Sequence, residues 1–401
     1  MGSSSTDVTL SAVLHEVPRL WEMLERLDKR TLLCTSQELH RQTSKLVSSI
    51  KSVYGEYSKL KPSDIGWLVS CNWTHLRSLE LTLDPAFVPE LSNGSWPLLT
   101  SLSINKPNNW TYPRELPAKP DEHIFDGFKG KWPLLECLAI TLGKLNTTHI
   151  TALVHTEWTS LKTLKIEPLE NSLPDLMRAH WPQLKDLSLG VGLSGGALEP
   201  LSACPWSTLE RLELVRCHLD VRSMASLIQA DLPQLKQLLL CQVSVAHTEV
   251  CFSQLAQGRW PLLAVLKLEL IGNRSTGLLC DALPQGCELT HFMDHAHGLE
   301  QPNDILALTL GKWPCLQSLT FDNFPIWDED VLVLVQAAWP ELMSLTMIGC
   351  FESPNVITLC MSRWPELQSL CLGSFDDYIQ DFRCCARGYP TLKFKIWDVM
   401  S

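Results

Sequence analysis

The sequence predicts an α/β solenoid of about 13 repeats, with a parallel sheet on the concave side and helices on the convex side. A small α-helical segment precedes them. Three observations point there. The motif W-P-x-L-x-x-L-x-L recurs along the chain, so that ten of the fifteen tryptophans occupy one repeat position. Most intervals between copies are 23 to 28 residues, a period that belongs to stacked repeats rather than to separate domains. Within each unit the apolar spacing changes from two-residue alternation to helical spacing.

The motif runs Trp96-Pro97-x-Leu99-x-x-Leu102-x-Ile104 and Trp132-Pro133-x-Leu135-x-x-Leu138-x-Ile140. It returns at Trp181, Trp260, Trp313, Trp339 and Trp364, each followed by proline. Trp73, Trp158 and Trp206 lack the proline, and Leu232-Pro233 and Tyr389-Pro390 replace the tryptophan, which makes twelve copies. The L-x-L end of each motif suits a short strand. The second half of each unit is helical in pattern: Asp328 to Ala338 has an acidic start and an apolar body, and Asp220 to Ala230 carries Met224, Leu227 and Ile228 at helical spacing. Acids in a first turn favour the helix dipole. The proline after each tryptophan cannot continue a helix, and so leads into the next strand. No such unit buries its own apolar face, whereas stacking produces one continuous core with the tryptophans as a ladder.

Two intervals are longer. Trp96 to Trp132 spans 36 residues, so an insertion is expected over 105–131. It holds Pro107, Pro113, Pro117 and Pro120 with exposed-looking Trp110, Tyr112, Phe125 and Phe128, which either tuck onto the solenoid or anchor a partner. Trp260 to Trp313 spans 53 residues, about two repeats. A step of 26 from Trp260 reaches Gly286-Cys287-x-Leu289-x-x-Phe292, which predicts a degenerate repeat within 273–312.

These residues resemble the leucine-rich-repeat family over about residues 73–396. The variant is similar to the cysteine-containing subclass often found behind F-boxes, with Trp-Pro in place of its Cys-Pro and the later cysteine slot kept at Cys217 and Cys350. Buried cysteines of this kind act as small hydrophobes. Residues 13–55 lie ahead of the repeats, behind a tail over 1–12 read as disordered. Val17-Pro18-x-Leu20, Leu24, Leu27 and Leu32 suggest short amphipathic helices that resemble an F-box, although Val17 stands where leucine is usual. The resemblance implies docking on a Skp-family adaptor, and hence a substrate receptor of an SCF-type ubiquitin ligase. A helical cap for the first repeat is the other reading of the same segment. A plain scaffold or inhibitor-type repeat protein is the other reading of the function, and an enzyme regulator a more distant one.

Composition narrows the field. A net charge of −11 argues against a general nucleic-acid binder, which needs a basic face. No apolar run is long enough to span a bilayer. Met1-Gly2 with Thr6 fits a myristoylation pattern that no polybasic stretch supports. The expectation is therefore neither a nucleic-acid nor a membrane partner. Fifteen cysteines without a CxxC pair, and no secretory leader, predict reduced thiols in the cytoplasm or nucleus. Five N-x-[ST] sequons, at Asn72, Asn93, Asn109, Asn146 and Asn273, oppose that placement.

No nucleophile elbow, P-loop, dinucleotide fingerprint or HExxH motif is present, so neither an enzyme nor a cofactor is expected. Cys384-Cys385 lacks the partners of a catalytic thiol. Cys280, Cys287, His291 and His295 are residue types that bind zinc, but C-x6-C-x3-H-x3-H is not a standard finger spacing. The alternative makes His291 and His295 outward strand residues. Concave-face residues offer the better binding surface, because side chains alternate along a strand. In order these are Thr163, Lys165, Glu167; Asp186, Ser188, Gly190; Arg211, Glu213, Val215; Val265, Lys267, Glu269; and then His291, Met293, His295. The expected partner contacts are Lys165, Glu167, Asp186, Arg211, Glu213, Lys267 and Glu269, since charges of both signs in adjacent rungs suit a protein better than a polyanion.

Overall fold

The computed structural model describes residues 48–51, 62–70, 73–106, 124–190, 198–203, 205–245, 248–270, 304–322, 326, 328–348, 364–373 and 393–397. The F-box-like residues Val17, Pro18, Leu20, Leu24, Leu27 and Leu32 lie outside them. So do Trp110, Tyr112, Cys350, Cys384, Cys385 and the Cys280, Cys287, His291, His295 group.

One parallel sheet runs through the molecule. Its strands are β1 (Ser49–Lys51), β2 (Ser78–Thr82), β3 (Ser101–Asn105), β4 (Cys137–Leu145), β5 (Thr163–Pro168), β6 (Asp186–Gly190), β7 (Arg211–Val215), β8 (His218–Leu219), β9 (Gln237–Val245), β10 (Val265–Leu270), β11 (Ser318–Asp322), β12 (Ser344–Ile348), β13 (Ser369–Gly373) and β14 (Lys393–Trp397). Strands pair in chain order, except that β8 lies off the path and pairs only with the end of β9. Among the described residues the result is a leucine-rich-repeat solenoid of thirteen rungs.

The repeat motif explains each rung. The Trp96 carbonyl accepts from the Leu99 amide at 3.1 Å, and the same turn closes at Trp206 and Trp339. Proline where it follows the tryptophan presets the turn's φ. The next two amides, of Thr100 and Ser101, both reach the Arg77 carbonyl of the preceding rung at 2.8 and 2.9 Å, which fixes the register. The two apolar residues of L-x-L then point inward: Leu102 and Ile104 are buried, as are Leu187 and Leu189, and Leu345 and Met347.

All ten repeat tryptophans are at most 3% exposed. They stack in neighbouring pairs, with ring centroids 5.7 Å apart for Trp96 and Trp132, 6.3 Å for Trp181 and Trp206, and 6.5 Å for Trp313 and Trp339. Some indole N–H groups reach back one rung: Trp206 Nε1 donates to the Ala179 carbonyl at 3.3 Å, and Trp158 Nε1 to the Lys131 carbonyl at 2.9 Å. Trp96, Trp132, Trp313 and Trp339 leave theirs unpaired. At Gly94, Gly258 and Gly311 the residue two before the tryptophan carries no side chain, and the indole lies over it. A Cβ at Gly258 would overlap the Trp260 ring, and one at Gly311 would come within 2.7 Å of the Trp313 ring.

The convex layer is thinner than the sequence suggests. Its helices are α1 (Pro62–Ser70), α2 (Val88–Leu91), α3 (Thr147–Val154), α4 (Leu173–Leu176), α5 (Val221–Gln229), α6 (Thr248–Leu255), α7 (Asp304–Thr309) and α8 (Asp328–Leu334), with short 3-10 turns in other repeats. The Asp220 carboxylate caps α5 by accepting from the Ser223 amide at 2.8 Å.

One expectation is corrected. Strand β10 pairs directly with β11, with Val265 opposite Ser318 and Glu269 opposite Asp322. No rung stands between them, contrary to the degenerate repeat expected at Cys287, and residues 271–303 lie outside the described residues. The interval of 53 residues reflects chain added after β10, and the thirteenth strand is β1, which precedes the first repeat tryptophan, Trp73. Of the insertion's aromatics, Phe125 and Phe128 take the first of the two courses open to them and tuck onto the solenoid. Both are fully buried and pack edge-on to each other, Phe128 against Trp132 and Phe125 against His149. The apolar drive of two phenylalanines outweighs the polar character of the surrounding loop.

Candidate functional site

Strand alternation and register place three outward residues of each rung in columns on the concave face. The central column reads Ala139, Lys165, Ser188, Glu213, Leu239, Lys267, Thr320 from β4 to β11. The columns beside it bring Asp186 next to Arg211, and Glu269 next to Asp322. All seven expected contact residues are therefore on the concave face.

Most of these charges are engaged with one another. Arg211 Nη2 bonds a Glu213 carboxylate oxygen at 3.2 Å, and Arg211 Nε lies 3.7 Å from Asp186 Oδ1. The Lys267 ammonium bonds Glu269 Oε2 at 2.6 Å. Lys165 is exposed and forms no ion pair with a described residue. Glu167 leans over Gly190, its Cγ 3.1 Å from where a Cβ would stand, so the absence of a side chain there makes room for the carboxylate.

Burial and crowding set the electrostatics. Desolvation raises the Asp186 carboxyl, against the pull of Arg211. Desolvation raises Asp322 too, and the neighbouring Glu269 adds to it. Burial pulls the Lys267 ammonium down, but Glu269, Cys241 and Asp322 outweigh that and hold it above its ordinary value. Burial pushes the Cys241 thiol up to about 11, with Glu269 and Glu213 adding to the shift. Cys241 is thus a protonated thiol at neutral pH, opposite in character to an activated nucleophile.

One polar atom is anomalous. Ser188 is 5% exposed although it lies on the concave face, and its Oγ has no hydrogen-bond partner. A buried hydroxyl without a partner costs about 1–3 kcal/mol, and such groups call for an explanation. At the start of the rungs a second charge ladder runs along the sheet. Lys162 bonds Glu136 at 2.8 Å, and Glu210 holds both Lys185 and Lys236 at 2.7 Å. Those two lysines bring the Glu210 carboxyl down to about 2.

Asp322 and Leu239 were not among the expected contacts. Leu239 breaks the polar pattern of the concave column and is visible in the run Leu238-Leu239-Leu240. Asp322 becomes a neighbour of Glu269 only because β10 and β11 are adjacent. No group of three or more metal-ligating side chains occurs among the described residues. No described helix is long and apolar enough to cross a membrane.

No family model and no curated protein matches the chain. Among solved structures it is similar to a chain of the yeast Rad7–Elc1 complex, at 14% identity over 98% of both chains with a TM-score of 0.47. It is also similar to TLR13 in complex with ssRNA13, at 15% identity and a TM-score of 0.44. That match covers 81% of this chain and 39% of the other. An internalin, InlF of Listeria monocytogenes, matches at 13% identity over 90% of this chain and 85% of its own, with a TM-score of 0.34.

Proposed function

We propose that this chain recognises a protein partner on its concave face and serves as the substrate receptor of an SCF-type cullin–RING ubiquitin ligase. The observation that carries recognition is the continuous parallel sheet, whose conserved-geometry columns hold side chains that differ from rung to rung. Inward leucines and tryptophans repeat because the core demands it. Outward residues do not repeat, and over β5–β11 they turn charged: Lys165, Glu167, Asp186, Arg211, Glu213, Lys267 and Glu269. Electrostatic patterning of this kind supplies specificity and association rate more than raw affinity. The adaptor-binding role rests on the F-box-like residues Val17, Pro18, Leu20, Leu24, Leu27 and Leu32.

The test is a pull-down of the full chain with a purified Skp-family adaptor. The expected result is capture by the wild-type chain and loss of capture in the double variant Leu20→Asp/Leu24→Asp, whose circular dichroism spectrum stays unchanged. Failure of the intact chain to hold the adaptor removes the ligase role and leaves a scaffold, with residues 13–55 as a cap of the solenoid.

A further inference from the structure

We propose that the convex face formed by α6, α7 and α8 binds the same face of a second copy of this chain, in a two-fold dimer with the helices of the two copies antiparallel. The inference is independent of the proposed function, because it uses the side of the solenoid opposite the concave sheet.

Large apolar side chains are exposed there. Leu310 is 70% exposed and Leu332 53%, and Val250 and Leu306 are exposed as well. The helices pack side by side, α7 against both α6 and α8. Leu306 and Leu332 hold the same place in their repeats, seven residues before Trp313 and Trp339. Leu310 follows α7, one helical turn on from Leu306 and on the same side. At the place seven before the tryptophan, earlier helices carry Gly66, Pro89, Thr151, Pro174 and Ser253, none of them a long apolar side chain. The core does not call for these leucines, since Leu308, Val331 and Leu334 are the buried residues of α7 and α8.

Charge divides between the two ends of this face. The helices start with Glu249 in α6, Asp304 in α7 and Asp328-Glu329-Asp330 in α8. Beyond the other ends of α6 and α7 stand Arg259 and Lys312, each directly before its repeat tryptophan, exposed, and not ion-paired with any described residue. The helix dipole accounts for the sign of charge at each end. It does not account for the leucines between them. The sequence through α7 is also close to symmetric about the buried Leu308. Leu306 and Leu310 lie two residues before and after it, and Asp304 and Lys312 four before and after.

This polarity selects a second copy as the occupant. The three helices run the same way, because each leads into the next strand of one parallel sheet. A two-fold axis through the face near Leu308 lays the other copy's helices antiparallel on them, and a two-fold contact is self-complementary. Leu306 then meets Leu310 of the other copy. Lys312 comes over the start of the other α7, and Arg259 over the acidic start of the other α8. A face of one sign at both ends would repel its own copy, whereas this one complements it. Neighbouring helices lie about 8–10 Å apart, and the stretch from Asp304 to Lys312 is about 12 Å long. With its side chains the face covers roughly half of the about 800 Å² that each partner buries in a stable complex, so the dimer is weak and reversible. It leaves both concave sheets free and facing away from each other.

Sedimentation velocity of the full chain tests this, over a range of about 1 to about 200 μM. The expected result is a concentration-dependent dimer with a Kd of about 10–100 μM. Leu310→Asp enters the interface once from each copy and should weaken it at least about hundredfold. Two charge-reversed chains supply the second measurement. Arg259→Glu/Lys312→Glu makes both ends of the face acidic, and Asp304→Lys/Asp328→Lys/Glu329→Lys makes both ends basic. Each should stay monomeric alone, and an equimolar mixture of the two should dimerise at least as well as the wild type. Thermal unfolding confirms that each variant folds. A folded wild-type chain that stays monomeric throughout, a Leu310→Asp chain that dimerises like the wild type, or folded reversed chains that do not associate with each other overturns the proposal. A monomer that Leu310→Asp destabilises, as it would if another part of the same chain covered the face, overturns it as well.

Discussion

Replacing a repeat tryptophan with phenylalanine should cost different amounts at two sites that look alike in the sequence. Trp96 and Trp206 are both about fully buried, at 1% and 2% exposure, and both stack on a neighbouring tryptophan. They differ in one hydrogen bond. Trp206 Nε1 donates to the Ala179 carbonyl at 3.3 Å, while Trp96 Nε1 has no partner. Both substitutions lose the same apolar area and similar stacking. Trp206→Phe also strands a buried carbonyl, at a cost of about 1–3 kcal/mol, whereas Trp96→Phe removes a stranded donor of about the same cost. The two effects have opposite sign and the gap between the sites is the sum of their magnitudes, so Trp206→Phe should be the more damaging by about 2–6 kcal/mol. Urea unfolding followed by circular dichroism measures this, provided the m-values agree, since repeat arrays can lose two-state behaviour. Equal costs, or a larger cost at Trp96, would show that the indole N–H groups play no part in holding successive repeats together.

Three further outcomes follow from the same geometry. Gly258→Ala should destabilise by about 1–3 kcal/mol because its Cβ overlaps the buried Trp260 ring, while Gly66→Ala, exposed in α1 with open space around it, should stabilise by about 0.5–1 kcal/mol in the same unfolding assay. Burial and Glu269 raise the Asp322 carboxyl, so its stabilising contribution is present below the unfolded pKa and is lost as pH rises through the folded one. Asp322→Asn should therefore raise the thermal midpoint at neutral pH and leave it unchanged in acid, and a lower midpoint at neutral pH would contradict the assignment. The lysine-held Glu210 behaves oppositely: its contribution is present above its unfolded pKa and fades as pH falls from about 4.5 to about 2, so Glu210→Gln should flatten the acid limb of the stability profile, and added salt should do the same.

Much of the architecture was legible because each slot of W-P-x-L-x-x-L-x-L has one physical task. Tryptophan fills the core, the W-P-x-L turn sets the register, and the alternating pair places two side chains inward. The rungs from β2 to β14 could thus be placed to within a few residues. Counting by period failed where chain was inserted. Stepping from Trp260 suggested a rung at Cys287, but strand pairing, not spacing, decides adjacency, and β11 simply follows β10. The first rung was hidden because Ser49-Ile50-Lys51 carries only one apolar residue and no tryptophan. Phe125 and Phe128 looked exposed among prolines and charges, since their partners Trp132 and His149 meet them only after folding. The concave charges were legible from alternation alone. That they pair among themselves, that Ser188 is buried without a partner, and that Asp322 joins them depend on distances between rungs, which no local pattern carries.

Under the proposed function, adaptor docking falls to residues 13–55 and partner choice to the concave sheet. Quantitative capture from cells with two full-length forms, wild type and the triple reversal Lys165→Glu/Asp186→Lys/Arg211→Glu, tests both together. The predicted result is that the reversed chain keeps the Skp-family adaptor at the wild-type level and loses the other specifically bound proteins. An unchanged set of bound proteins in the folded triple variant would contradict recognition through the concave face.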